Sequence, residues 1–231
     1  MKVAAIVPAL NEEKNIAKVL KALLASKDID EVIAVDGGSI DRTAEVSRQA
    51  GAKVLSLPKK GGSGKGNAMR EGIKSTDADV IVFFDADLIG LTPEHASLLV
   101  KPILDEGVSM CVGMRERRWK GAISEFMIKI DPLSAIAGER AIRRYIFEAI
   151  PSDFIQGFMV ETALNYYCLV NKLKVKYVKL KGLDIIVKEK KWGLLKGLKS
   201  RVRMMWQLLK IRFLILRRKK EFKKNVSQNN S

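Results

Sequence analysis

Short apolar runs and helical stripes alternate along the first half of the chain. Val3-Ala4-Ala5-Ile6-Val7-Pro8 is an unbroken apolar run of the kind a strand buried on both faces requires. Asn11 then reads as a helix cap with Glu12 and Glu13 in the first turn, where the helix dipole favours anions. Ile16, Val19, Leu20, Leu23 and Leu24 give that helix one apolar side. Glu31 to Val35 predicts a second strand, followed by a helix that Asp41 or Ser39 can cap and that stops at Gly51. Lys53 to Leu57 is a third, shorter strand, Pro58 to Gly66 a Gly- and Lys-rich loop, and a helix follows from about Asn67. Val80 to Phe84 is the most apolar strand of all, and it ends abruptly in Asp85-Ala86-Asp87. This β-α-β-α-β-α-β order predicts an α/β fold with a mostly parallel, doubly wound sheet and helices on both faces.

The second half is less regular. Thr92-Pro93-Glu94 is a helix start, with a cap, a proline at the first position and an acid next. Val108 to Gly113 predicts a strand and Arg115-Glu116-Arg117-Arg118 a basic loop. Ser124 to Ile150 is mixed and partly helical in pattern, with Gly138-Glu139-Arg140 interrupting it. Glu161 to Leu173 predicts a helix and Val175 to Leu180 an alternating edge strand. From Trp192 the pattern is helical for several turns, and the polar tail Asn225–Ser231 is expected to be disordered. The expected organisation is therefore a domain over residues 1–187, a basic amphipathic segment over 188–224 and a tail over 225–231.

Charge changes the picture in one place. Residues 188–224 hold 15 Lys or Arg against 2 Glu, a net +13, so of the chain's +16 only +3 belongs to everything else. Within that segment Leu194, Leu195, Leu198, Val202, Met205, Trp206, Leu209, Phe213 and Leu216 share one helical face, opposite Lys196, Lys199, Arg203 and Lys210. Such a helix can lie in an anionic membrane interface or dock its stripe on the body. Spanning is disfavoured, because Arg203, Lys210 and Arg212 would each cost about 2.5–3.5 kcal/mol near a bilayer centre. No run of 18 uncharged apolar residues occurs, and because the first residues enter a core strand directly, no secretory leader is expected. Cys111 and Cys168 lack metal-ligand spacing and are expected to be buried free thiols of a reducing compartment.

Three predicted strand ends carry candidate chemistry: Pro8-Ala9-Leu10-Asn11-Glu12, Asp36-Gly37-Gly38-Ser39 and Asp85-Ala86-Asp87. In a doubly wound sheet these share the carboxyl edge, where ligands bind. If strand geometry continues through Asp87, Asp85 and Asp87 point the same way, and two hard oxygen ligands suit Mg²⁺ or Mn²⁺ on a diphosphate. Asp36 can accept from a base N–H or a ribose hydroxyl. The loop from Lys59 to Gly66 is not a Walker A loop, because Lys65 is followed by Gly66 rather than Ser or Thr. A basic loop beside a diphosphate fits it better, with Lys65 adding positive potential.

Val7-Pro8-Ala9-Leu10-Asn11-Glu12-Glu13, Val35-Asp36-Gly37-Gly38-Ser39-Ile40-Asp41-Arg42-Thr43, Gly64-Lys65-Gly66-Asn67-Ala68 and Phe84-Asp85-Ala86-Asp87-Leu88 together resemble the family 2 nucleotide-sugar glycosyltransferases of GT-A fold, including the dolichyl-phosphate mannose synthases. The resemblance implies a hexosyltransferase using a GDP- or UDP-sugar. Pro8, Ala9, Leu10, Glu12, Asp36, Lys65, Asp85 and Ala86 would bind the donor, Asp85 and Asp87 would hold the metal, and Arg115 would face the donor phosphates. Ile89 departs from the Gln that commonly follows the acidic motif in the mannose synthases. Pro132-Leu133 through Gly138-Glu139-Arg140-Ala141 to Gln156-Gly157-Phe158-Met159-Val160-Glu161 also resembles the glucosyl-3-phosphoglycerate synthases, which retain anomeric configuration. There Glu161 matches a helix-starting acid, and it is the candidate general base. Those enzymes use a late His as metal ligand. The chain's only His is His95, at a helix start, which leaves Asp184 as the candidate replacement.

Four readings follow. The leading one is a metal-dependent transfer of sugar, with Asp87, Arg115 and Glu161 catalytic, to a phosphorylated acceptor held by Arg140 and Arg117. That acceptor would be a polyprenyl phosphate, with the protein peripheral on the cytoplasmic face of the cell membrane. The alternative is a soluble, retaining glucosyl- or mannosyl-3-phosphoglycerate synthase. A basic nucleic-acid binder is disfavoured, because Trp192, Trp206 and Phe213 belong to the apolar stripe rather than to a stacking platform. A sugar nucleotidyltransferase would need a Gly-rich basic loop after the first strand, which Pro8-Ala9-Leu10-Asn11 lacks.

Overall fold

The computed structural model describes residues 1–58, 64–115, 137–156, 159–185, 211, 213–215 and 217–223. Its centre is a seven-stranded sheet in the order β3-β2-β1-β4-β7-β6-β8. The strands are β1 (Val3–Ala9), β2 (Glu31–Asp36), β3 (Lys53–Ser56), β4 (Val80–Phe83), β6 (Met110–Arg115), β7 (Arg140–Arg143) and β8 (Val175–Leu180). All pair in parallel except β7, which runs antiparallel to both its neighbours β4 and β6. A separate antiparallel pair joins β5 (Leu88–Ile89) to β9 (Asp184–Ile185). The described helices of the body are α1 (Ile16–Leu24), α2 (Thr43–Gln49), α3 (Lys65–Lys74), α4 (Pro93–Asp105), α5 (Arg144–Glu148) and α6 (Met159–Val170).

Alternation along the central strands divides the core. Ile6, Ile33, Val35, Ile81 and Phe83 face a layer built on α3, α5 and α6. Val7, Ala34, Val80 and Val82 face the layer of α1 and α4. Both sides of β1 and β4 are therefore dry, which is why their sequences are continuously apolar. Both cysteines are buried free thiols, and burial pushes each thiol's pKa up to about 12.

Three expectations change. The first helix begins at Ile16, not at Asn11. Asn11 instead adopts a left-handed φ of 55° and is tied sideways to the next loop through Ser39 and Ile40. β4 ends at Phe83, where its register with β1 ends at Ile6, so Asp85 and Asp87 occupy a turn and strand alternation does not aim them. The mixed segment before Ile150 contains β7, a strand too polar in sequence to read as buried. Of the two readings left open for the basic carboxyl-terminal stretch, docking on the body holds for its described part. Ile211 and Ile215 are buried, and Phe222, in a short helix α7 (Lys219–Phe222), meets Phe154 and Tyr166 edge-on at 5.0 and 5.1 Å. Phe213 remains 58% exposed beneath the Arg217 guanidinium. The apolar face from Leu194 to Leu209, and the tail after Lys223, lie outside the described residues.

Candidate active site

The loops after β1 and β2 form the first wall. Asp36, the last residue of β2, is buried, and its Oδ1 accepts from the Ser39 N–H at 3.0 Å and from the Ser39 hydroxyl. Ser39 Oγ in turn accepts from the Asn11 N–H at 2.9 Å, while Asn11 Oδ1 accepts from the Ile40 N–H at 2.9 Å. The Gly37 N–H donates to the Ala9 carbonyl at 2.8 Å, and Gly38 supplies a φ of 90° that a side chain would resist. The Glu12 N–H donates to Thr43 Oγ1 at 2.8 Å, and its carboxylate accepts from the Asn15 amide at 3.0 Å. Pro8, Ala9, Leu10, Glu12 and Asp36 thus belong to one cross-linked rim, from which Leu10 projects 48% exposed.

Lys65 closes the centre. It opens α3, and its Nζ lies 2.8 Å from Asp85 Oδ1 and 3.1 Å from Glu161 Oε1. This ammonium joins the turn after β4 to the first turn of α6. Burial alone would lower the Lys65 pKa, but Asp85 and Glu161 outweigh it and hold the group above its ordinary value. The backbone approaches closely on both sides. A Cβ on Gly66 would collide with the Ile155 carbonyl, and a Cβ on Gly138 would sit 2.6 Å from Asp85 Oδ2. Glu161 is almost fully buried, and its Oε2 has no hydrogen-bond partner among the described residues.

Arg115 ends β6 and is buried, with Nη1 3.5 Å from Oε1 of Glu139. Glu139 is wholly buried, and neither of its carboxylate oxygens has a hydrogen-bond partner among the described residues. Burial, and then Asp85, push its pKa upward against Arg115 and Lys65. Sequence reasoning gives Glu139 no role: its Gly-Glu-Arg triplet reads as a break and as part of a family resemblance.

The donor set suits a hard divalent cation. Asp85 and Asp87 are half-buried carboxylates at the carboxyl end of the central strands, and Mg²⁺ or Mn²⁺ commonly takes one or two carboxylates plus water and phosphate oxygens. Among the described residues no cluster of three His, Cys, Asp or Glu completes a protein cage. Asp184 pairs in register with Ile89, two residues after Asp87, and accepts from its own neighbour Ile185. His95 is a packing residue: it shares a capping box with Thr92, and its Nε2 lies 2.9 Å from the Lys181 carbonyl.

Of the two expected acceptor arginines, Arg140 and Arg117, the structure corrects the first. Arg140 is fully buried, and its guanidinium is spent on the Ala137 and Glu161 carbonyls and Asn165 Oδ1, so it has no free face for a phosphate. Because β7 runs antiparallel, Arg143 and Arg144 emerge at the opposite edge of the sheet, against Ile103, Thr76 and Glu148. Arg117 and Arg118 lie outside the described residues. An open groove of about 660 Å³ along α1, α4 and β8, lined by Lys27, Leu98, Lys101 and Val178, contains none of the site residues.

Residues 4–152 match the model of the family described as Glycosyl transferase family 2. A glucosyl-3-phosphoglycerate synthase of Mycolicibacterium smegmatis is 31% identical over 190 residues, covering 70% of this chain and 62% of that protein. The chain thus spans about three-fifths of the length of that relative. Two crystal structures of glucosyl-3-phosphoglycerate synthase from Mycobacterium tuberculosis superpose over 91% of this chain and 79% of theirs, each with a TM-score of 0.74 and 27% identity. One is a complex with Mg²⁺ and uridine diphosphate, the other with Mn²⁺, uridine-diphosphate-glucose and phosphoglyceric acid. The GT-A arrangement expected from the sequence is the fold these structures share with the chain.

Proposed function

Because the chain belongs to glycosyl transferase family 2, we propose that it moves a sugar from a uridine-diphosphate sugar to a small phosphorylated acceptor of the phosphoglycerate class. The observation that carries this reading is the Asp85–Lys65–Glu161 bridge at the carboxyl edge of the sheet, next to a cross-linked rim that can receive a nucleoside. The glucosyl-3-phosphoglycerate synthases it resembles support the acceptor class.

In this reading Asp36 and the rim from Pro8 to Glu12 hold the base and ribose. Asp85 and Asp87 would hold Mg²⁺ or Mn²⁺, which when bound neutralises charge on the departing diphosphate. Lys65 and Arg115 add fixed positive potential in a site that needs no reorganisation to supply it. The acceptor hydroxyl oxygen bonds to the anomeric carbon as the bond to the diphosphate breaks, and its proton needs a carboxylate within reach, for which Glu161 is the candidate. Arg117 remains the candidate for the acceptor phosphate, since a guanidinium fork binds such oxygens in pairs.

A second reading keeps the polyprenyl phosphate acceptor. Its support is the +13 of residues 188–224 and the exposed Phe213, and no described helix is long and apolar enough to cross a membrane. One experiment separates them. The chain is incubated with Mn²⁺ and labelled uridine-diphosphate-glucose, with either 3-phosphoglycerate or a polyprenyl phosphate in anionic vesicles, then extracted with organic solvent. Metal-dependent label in an anionic aqueous product supports the first reading. Label found only in the organic phase with the lipid refutes it in favour of the second, and no transfer with either acceptor refutes both.

A further inference from the structure

Among the described residues Arg140 heads the large side chains that are wholly buried, and nothing in the catalytic scheme above uses it. Its Nε and Nη2 donate to the Ala137 carbonyl at 3.1 and 2.6 Å. Its Nη1 donates to the Glu161 carbonyl and to Asn165 Oδ1, both at 3.3 Å. One planar fork therefore grips two pieces of chain that are distant in sequence. The first is the turn at 137–139, which presents Gly138 against the Asp85 carboxylate. The second is the first turn of α6, whose Glu161 carboxylate meets Lys65. A buried guanidinium is costly unless its donors are satisfied, so an apolar side chain would be the cheaper choice if packing were its only task.

We propose that Arg140 is a positioning residue: it sets the separation of Asp85 and Glu161 that the Lys65 ammonium spans. The inference rests on the glycosyl transfer reading for its kinetic consequence but not for its geometry. A fork is needed because two carbonyls and an amide must be held at once from one direction. A lysine ammonium retains the charge but lacks the planar spread, so Arg140→Lys should be a poor substitute. Misplacement by about 1 Å at a reacting centre can cost on the order of 100-fold in rate.

The test uses the full chain with Arg140→Lys and Arg140→Ala. In labelled transfer assays, kcat per folded molecule should fall by about 10-fold or more, with KM for donor and acceptor within about twofold of wild type. Millimolar methylguanidinium should restore part of the lost kcat in Arg140→Ala and leave wild type unchanged. A raised acceptor KM at unchanged kcat would instead return Arg140 to acceptor binding and overturn the proposal. So would full specific activity in the folded fraction, or failure of both variants to fold, which would make the guanidinium a requirement of the fold alone. A second readout needs no turnover. In crystal structures of wild type and Arg140→Lys, only wild type should keep the Lys65 ammonium in contact with both carboxylates. An intact bridge in the variant refutes the positioning role even if transfer is abolished. Absence of transfer by wild type refutes the glycosyl transfer reading and leaves this structural comparison to decide Arg140.

Discussion

Gly138 is the point at which a single methyl group should reach Asp85, the proposed metal carboxylate, without touching any ligand. A Cβ there would lie 2.6 Å from Asp85 Oδ2 and 3.0 Å from both Cγ and Oδ1, where ordinary contact begins at 3.4 Å. Gly138 does not occupy the left-handed region, so alanine meets no backbone strain, and the whole cost falls on the contact. Asp85 must retreat by roughly 0.8 Å, and it cannot do so while keeping its 2.8 Å pairing with Lys65. Overpacking of this size costs about 1–3 kcal/mol. Most of it should appear as displaced carboxylate rather than as unfolding, because Asp85 sits at a half-exposed turn while the sheet beneath it is dry. Gly138→Ala should therefore weaken binding of uridine diphosphate in Mn²⁺ by about 10- to 100-fold, equivalent to about 1.4–2.7 kcal/mol. The melting temperature should fall by only a few degrees. Isothermal titration calorimetry with Mn²⁺ and with EDTA measures the first, and thermal denaturation by circular dichroism the second. Wild-type nucleotide affinity in a folded Gly138→Ala protein would refute the claim that this turn fixes Asp85 for the proposed metal.

Other expectations rest on separate contacts. Asp87→Asn should leave the melting temperature within a few degrees of wild type yet abolish the Mn²⁺-dependent part of nucleotide binding, and undiminished affinity in excess EDTA for wild type would count against any metal role. Gly72→Ala drives a Cβ to 2.6 Å from Ile6 Cγ2 and 3.0 Å from Val35 Cγ2, so it should destabilise the fold by about 1–3 kcal/mol in urea denaturation with nucleotide affinity per folded molecule unchanged. For Glu139, whose pKa is pushed up to about 7 by burial and then by Asp85, the folded state holds the proton more tightly than the unfolded chain, where Glu titrates near pH 4.3. Its contribution to stability is thus lost as pH rises from about 4 to about 7. Glu139→Gln should then be near neutral at pH 5 and gain on wild type at pH 8; a larger deficit at pH 8 would mean that the Arg115 pairing dominates instead.

Local signals were enough for the frame of this protein. Continuous apolar runs, ended by Asp or Asn and separated by 3.6-period stripes, gave β1, β2, β4 and their parallel order, because a strand dry on both faces has no other composition available. The turn glycines after β2 and the Thr92-Pro93-Glu94 helix start were legible for the same reason: their chemistry acts within four residues. Asp36, Lys65, Asp85 and Glu161 could each be nominated, and Asp36 and Asp85 placed on one sheet edge, but the bridge of Lys65 to Glu161 could not be foreseen, since it spans 96 positions and depends on where α6 lands. β7 was illegible: Arg-Ala-Ile-Arg carries two charges in four residues and qualifies as an internal strand only because folded neighbours satisfy the Arg140 guanidinium. The same fact moved Arg140 from the acceptor to the interior. A charge pattern states how many cations a segment holds, whereas burial and hydrogen-bond partners, which exist only after distant elements have packed, decide whether a given cation can face a ligand.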